Sequence, residues 1–172
     1  SAGYRGQGPT GAAAGDRVLD AGTGTGILAA YLGRLGATVT TYERDSDFAD
    51  VARENMAVAG VAETVEVRTG DITDDLEALT DGEPFDLLTL DTEDAPAVVG
   101  RAAELLAPGG YLAVYSPFVE NSRASVEAAE AAGLSAIEAV ETIQRELTVD
   151  DRGTRPSTAG VGHTGYLIFA RR

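Results

Sequence analysis

Four carboxylates stand where apolar or β-branched runs of the chain stop. Asp20 ends "RVLD", Glu43 ends "ATVTTYE", Asp71 ends "TVEVRTGD" and Asp91 ends "FDLLTLD". Asp20 also opens "DAGTGTG" (20–26), a stretch with three glycines. Glycines at a strand-to-helix turn let backbone approach a ligand closely, and the helix that follows offers unpaired N–H groups. The spacing departs from the dinucleotide fingerprint G-x-G-x-x-G: Gly22 and Gly24 fit, but the third glycine is Gly26 and Ile27 holds its expected place.

The acids narrow the ligand. A carboxylate at Asp20 is unfavourable beside a pyrophosphate and favourable beside an ammonium group. Glu43, at a strand tip 23 residues further on, is placed to take both hydroxyls of a ribose. Asp71, after Gly70, is placed to meet an adenine edge. A nucleoside that carries an amino acid satisfies all three, which points to S-adenosylmethionine, with S-adenosylhomocysteine as the product. Arg44 and Ile72 adjoin these acids and join the expected cofactor set. Thr23 and Thr25 offer backbone N–H and hydroxyl groups near the methionine tail.

The elements that must hold these residues alternate. Strands are expected at 17–22, 37–43, 64–71, 85–91 and 111–117. Helices are expected at 26–35, from Phe48 to a stop at Gly60, through Val98–Leu106 to a close at "PGG" (108–110), and from a cap at Asn121 to Gly133. Alternation of this kind gives an α/β, Rossmann-like fold with a mostly parallel sheet and helices on both faces. The end differs: β-like stretches 135–148 and 165–171 follow one another without a helix, joined by the loop "DDRGTRPSTAGVGH", so an antiparallel hairpin closes one edge. Residues 1–15, rich in Gly and Ala without period, read as a linker or a remnant, leaving 16–172 as one domain.

Composition excludes several classes. With no Cys, neither disulfides nor thiolate chemistry is possible, and the single His163 rules out a His-rich metal site. No apolar run approaches the length of a membrane span. No signal-peptide pattern opens the chain, so a cytoplasmic protein is expected. Acids outnumber bases 28 to 13, for a net charge of −15, and every base is Arg. Such a surface suits high salt, where screening shortens the repulsion, so a halophilic, archaeal-type origin is expected. On that reading the negative charge does not exclude a nucleic-acid partner.

"VLDAGTGTG" (18–26), the acid ending the second strand, "GDI" (70–72) and the terminal hairpin together resemble class I S-adenosylmethionine-dependent methyltransferases, whose seven-stranded sheet ends in an antiparallel strand. Three further segments narrow the likeness. "LDTEDAP" (90–96) is similar to the fourth-strand motif of tRNA (adenine-N1)-methyltransferases of the TrmI type. "YSPFVEN" (115–121) is similar to that family's Tyr-x-Pro segment, and "RP" (155–156) with "GHTGYLIFARR" (162–172) to its C-terminal signature. The Asn/Asp/Ser-Pro-Pro-aromatic motif of enzymes that methylate exocyclic base amines is not present.

The resemblance implies methyl transfer to N1 of a T-loop adenine in tRNA, of the adenine 58 type and also adenine 57, by a homotetramer without metal or membrane. It also implies an N-terminal β-rich domain, which this sequence does not show. Asp91 becomes the candidate catalytic group. Attack by N1 on a methyl spreads positive charge over the N1–C6–N6 amidine, and a carboxylate accepting from N6 stabilises it. The same carboxylate repels guanine, which presents an acceptor at that edge. Tyr115 and Pro117 are expected to shape the acceptor pocket. Arg155 either grips a phosphate or pairs with an acid; His163 either meets the flipped base or serves the hairpin. Arg145 reads as a strand-face ion pair, and Glu93 and Asp94 as ordinary loop charge. The competing readings are a small-molecule methyltransferase of the same class and a non-catalytic subunit that keeps the fold.

Overall fold

The computed structural model describes residues 11–160 and 162–172, with the backbone alone for His163 and Thr164. The readings that fall on residues 1–10 and on the His163 side chain lie outside what is described.

Strand β1 (Arg17–Ala21) is the middle of the parallel part of the sheet. It is followed by α1 (Ile27–Arg34), β2 (Thr38–Glu43), α2 (Ser46–Ala59) and β3 (Val65–Thr69). A 3-10 turn (Ile72–Asp75) leads into α3 (Leu76–Thr80), then β4 (Phe85–Leu90), α4 (Ala95–Gly100), α5 (Ala102–Leu105), β5 (Leu106–Ser116) and α6 (Val119–Ala131). The chain ends in β6 (Ser135–Gln144), β7 (Leu147–Asp150), β8 (Gly153–Pro156) and β9 (Gly162–Arg171). Seven strands form one sheet in the order β3-β2-β1-β4-β5-β9-β6, and β9 runs antiparallel to both β5 and β6.

Alternation along the strands sorts the core into two layers. Val18 and Leu87 point to the face covered by α1 and α2, where they meet Ala29, Leu32 and Met56. Leu19 and Leu88 point to the other face, against Val98, Val99, Leu105 and Ala129 from the later helices. With both faces covered, the carboxyl ends of β1, β2, β3 and β4 come out on one open edge, and the four acids stand there.

Several boundaries differ from the sequence reading. The helix expected through Val98–Leu106 breaks at Arg101 (φ −105°, ψ 4°). "PGG" does not stop a helix but lies inside β5, where Gly109 N–H donates to Arg172 O and Arg172 N–H to Gly110 O. Asn121 does not cap α6: the helix starts at Val119, and the Asn121 amide donates instead to Glu93 O at 2.8 Å. The stretch expected as one strand over 135–148 breaks after Gln144: β6 ends there, and Leu147 and Thr148 belong to β7, which pairs with β8 from the expected loop in a separate two-stranded sheet. Residues 11–15 lie against the domain, with Ala12 on the core and Gly15 N–H donating to Gly36 O at 2.9 Å. The Gly60 stop stands, in left-handed backbone at φ 71°.

Candidate functional site

The glycine loop folds back over β2. Gly22 and Thr23 N–H groups both donate to Tyr42 O, at 3.0 and 3.2 Å. Gly22 has φ 90°, and a Cβ there would stand 2.0 Å from the Asp91 carbonyl oxygen, so only glycine lets β1 and β4 end this close together. Gly24 (φ 54°) has nothing within 4 Å of where its Cβ would be. Its N–H donates to Glu43 Oε2 at 2.7 Å, which ties the loop to the tip of β2.

A cleft of about 450 Å³ opens here, within the range of small-molecule sites. Ala21, Gly22, Gly24, Glu43, Arg44, Asp71, Ile72 and Asp91 line it, together with Tyr42, Phe48, Gly70, Thr92 and Glu93. Glu43 is half-buried and keeps its second oxygen on Asp45 N–H at 3.0 Å. Asp71 caps the 3-10 turn: its Oδ1 accepts from the Thr73 N–H and hydroxyl, and these bonds hold its carboxyl below the usual range. Asp91 N–H donates to Ala21 O at 2.8 Å, which fixes the backbone, but among the described residues its carboxylate makes no hydrogen bond. Neighbouring protein displaces water from it and pushes its pKa up, although the residue remains exposed to the cleft.

Asp20 does not face the ligand space. It is 4% exposed and sits beneath the loop, where Thr41 and Thr89 hydroxyls donate to its two oxygens, each at 2.5 Å. Thr41 gives its one proton to Asp20, so the Thr23 hydroxyl donates to Thr41. Burial raises the Asp20 pKa against the pull of these two bonds, with repulsion from Asp91 and Glu43 adding to the rise. Asp20 therefore ties β1 to β2 and β4 under the loop, and the expected contact with an ammonium group is replaced by a positioning role. Thr23, 8% exposed, is part of the same network. Thr25 and Gly26 face a separate groove between α1 and α2, where Asn55 donates to Thr25 O at 2.8 Å.

Arg44 spans the mouth of the cleft. Its guanidinium lies 2.9 Å from Glu93, 3.1 Å from Asp94 and 3.7 Å from Asp71. Glu93 and Asp94, read from sequence as loop charge, thus tether the β4 loop to the end of β2. Phe48, where the expected helical spacing of α2 begins, is 50% exposed on the first turn of that helix and lines the cleft. The signal that could have found it was its place three residues after the Asp45 cap, whose side chain accepts from the Asp47 and Phe48 N–H groups.

The acceptor-side residues are more dispersed. Tyr115 lies on β5 with its ring over Gly165, where a Cβ would stand 2.1 Å from the ring. Pro117 follows β5 at the open edge, exposed. Arg155, on β8, pairs with Asp150 at 3.1 Å, outside the cleft. Of His163 the structure gives only its backbone pairing with Ile143. Among the described residues no group of His, Cys, Asp and Glu could hold a metal, and no helix is long and apolar enough to cross a membrane.

The lining suits one kind of ligand: four carboxylates against one guanidinium repel a pyrophosphate and attract a cation, and a ribose diol needs an acceptor pair like Glu43. The family described as "Methyltransferase domain" matches residues 18–110, from β1 into β5. The chain belongs to the class I S-adenosylmethionine-dependent methyltransferases. S-adenosylmethionine is the cofactor of this methyltransferase. It is 32% identical over 91% of its length to the tRNA (adenine(57)-N(1)/adenine(58)-N(1))-methyltransferase TrmI of Methanocaldococcus jannaschii, and covers 64% of that protein. Among solved structures it is similar to a SAM-dependent O-methyltransferase from Thermotoga maritima, with TM-score 0.79 and 28% identity over 95% of this chain and 61% of that one. It is also similar to the tRNA (m1A58) methyltransferase TrmI from Aquifex aeolicus, with TM-score 0.71 and 25% identity over 91% of this chain and 62% of that one. The methyltransferase spans under two thirds of the length of each of these three proteins.

Proposed function

We propose that the chain is the catalytic domain of a tRNA (adenine-N1)-methyltransferase acting on T-loop adenine of the 58 type, with 57 a second acceptor. One observation carries the reading: Asp91, a carboxylate free of hydrogen bonds among the described residues, stands at the carboxyl end of β4, where the glycine loop touches it and its pKa is pushed up. The relatives whose names specify adenine N1 support the same acceptor.

Bound in the cleft, S-adenosylmethionine supplies an electrophilic methyl on a sulfonium and leaves as S-adenosylhomocysteine. Glu43 takes the ribose hydroxyls while its present bonds to Gly24 and Asp45 keep the carboxylate oriented. Asp71 keeps Oδ1 on Thr73 and offers Oδ2 to the cofactor's adenine amine. Phe48 and Ile72 give the adenine apolar walls. Asp91 accepts a hydrogen bond from N6 of the target adenine, which raises the electron density at N1 and stabilises the positive charge that spreads as N1 gains the methyl. Its raised pKa makes it the better acceptor for a proton from N6. The same reading makes the protein a homotetramer that works on tRNA in the cytoplasm.

A second reading, methylation of an oxygen on a small molecule, is favoured by the likeness to the Thermotoga maritima O-methyltransferase. Incubation with methyl-labelled S-adenosylmethionine in a KCl series, with unmodified tRNA in one arm and catechol-type hydroxyl compounds in the other, separates the two. Label in tRNA alone supports the proposal. Label in the hydroxyl compounds alone, or in neither arm despite cofactor binding, contradicts it.

A further inference from the structure

Asp91 depends on its loop. Its carboxylate makes no hydrogen bond among the described residues, so its place in the cleft is set by backbone. The loop runs from the end of β4 at Leu90 to the start of α4 at Ala95. At its near end Asp91 N–H donates to Ala21 O. Further on, the bonds are local: Asp94 N–H donates to Thr92 Oγ1 at 3.3 Å and Ala95 N–H to Thr92 O at 3.2 Å. Two groups grip the loop from outside. Arg44 holds the Glu93 and Asp94 carboxylates, and Asn121, from the first turn of α6, donates its Nδ2 to Glu93 O at 2.8 Å.

The two grips differ in kind. The Arg44 side chain is 50% exposed and that of Glu93 74%. An exposed ion pair contributes little and fades as salt rises. The Asn121 bond joins an uncharged donor to backbone, so salt does not screen it. It ties the Glu93 carbonyl, two residues from Asp91, to α6.

Asn121 is a poor choice for stability alone. Asn favours helix caps over helix turns, yet the cap position of α6 is Phe118. Its amide oxygen, Oδ1, is buried without a hydrogen-bond partner among the described residues, which costs stability. Turning the amide over would set Oδ1 against the Glu93 carbonyl oxygen, so the orientation that pins the loop is the one that leaves Oδ1 unpaired.

Resting on the role of Asp91 in the proposed function, we infer that Asn121 is a positioning residue: through the Glu93 carbonyl it fixes the loop that sets Asp91 against the acceptor, at a cost in stability.

The test compares the full chain with Asn121→Leu, which keeps the side-chain size without the donor, and with Asn121→Gln, which keeps the donor. Methyl transfer to unmodified tRNA, urea unfolding and amide hydrogen exchange over residues 91–94 are measured at high KCl. Asn121→Leu is expected to unfold at the wild-type urea midpoint or above it, since Leu is the better helix former and leaves no buried acceptor. Its kcat should fall about ten- to a hundredfold, the scale of a misplaced catalytic group, with KM for S-adenosylmethionine unchanged and exchange in the loop faster. Asn121→Gln should recover most of the lost kcat. Wild-type kcat in Asn121→Leu, a loss that Asn121→Gln shares in full, or unchanged exchange in the loop overturns the proposal. So does a lowered midpoint with unchanged kcat in the folded fraction, which makes Asn121 a structural residue only. If wild type labels hydroxyl compounds and not tRNA, the proposed reaction fails, and the same three proteins on that acceptor decide the role of Asn121 by the same outcomes. If it labels neither, the exchange comparison decides it: faster exchange supports the clamp and unchanged exchange overturns it.

Discussion

Replacing Gly22 by Ala tests how β1 and β4 share the site. The new Cβ would stand 2.0 Å from the Asp91 carbonyl oxygen and 2.7 Å from its carbon, both backbone atoms with no rotamer to escape into. The residue also holds φ 90°, where an L side chain costs about 1–2 kcal/mol. Overpacking adds typically about 1–3 kcal/mol, so Gly22→Ala should lose about 2–5 kcal/mol. That is a large share of the roughly 5–15 kcal/mol that holds a domain together. Gly24→Ala is the internal control: at φ 54° it bears the left-handed cost, but its Cβ would meet nothing within 4 Å, so the loss should stay near 1–2 kcal/mol. Urea unfolding of the three proteins gives both numbers from the shift in midpoint. Because Asp91 N–H is bonded to Ala21 O, Gly22→Ala should also displace Asp91 and reduce methyl transfer in the protein that remains folded. Equal losses for the two variants, or a neutral Gly22→Ala, would refute the claim that close contact rather than backbone angle fixes this glycine.

Glu43→Ala should weaken S-adenosylmethionine binding by about 1.5–3 kcal/mol, the scale of hydrogen bonds to a charged group, and calorimetry showing an unchanged dissociation constant would remove Glu43 from the site. Asp20 and Asp71 should leave opposite marks on stability against pH. The Asp20 pKa is raised above 3.8 by burial, so its contribution is fully present below that value and is lost as pH rises through the raised one. The Asp71 pKa is lowered, chiefly by the Thr73 bonds, so its contribution is present above 3.8 and lost as pH falls through the lowered one. Between pH 3 and pH 7 the urea midpoint of Asp20→Asn should therefore rise relative to wild type, and that of Asp71→Asn should fall; shifts of the same sign would contradict the assignment.

The parts of the fold that were legible are those written in local pattern. Apolar runs ending in an acid marked β1 to β4, and helical spacing from Phe48 with the Gly60 stop marked α2. The parts that were not legible depend on residues far apart in sequence. Asp20 looked like a ligand contact because its partners Thr41 and Thr89 lie 21 and 69 residues away, and burial beneath the loop leaves no mark in "DAGTGTG". Glu93 and Asp94 looked incidental because Arg44 lies about fifty residues before them. Phe48 fitted a helical apolar pattern, but the buried face of α2 is Ala49, Ala52 and Met56, which turns Phe48 to the cleft. "PGG" reads as a stop in isolation, and only the far end of β9 draws it into the sheet. The β7–β8 hairpin has four-residue strands, and the "LTVD" of β7 reads as a continuation of the β-like run before it, so nothing local marks the break after Gln144.

In the proposed reaction Asp91 directs a methyl to N1 of adenine. Its most direct test is nucleoside mass spectrometry of unmodified tRNA after reaction with deuteromethyl-labelled S-adenosylmethionine, run with wild type and with Asp91→Ala. Labelled 1-methyladenosine is expected from wild type, and none from a variant whose cofactor dissociation constant is unchanged. Label in N6-methyladenosine or in a guanosine derivative, or labelled 1-methyladenosine at the wild-type rate from Asp91→Ala, would contradict it.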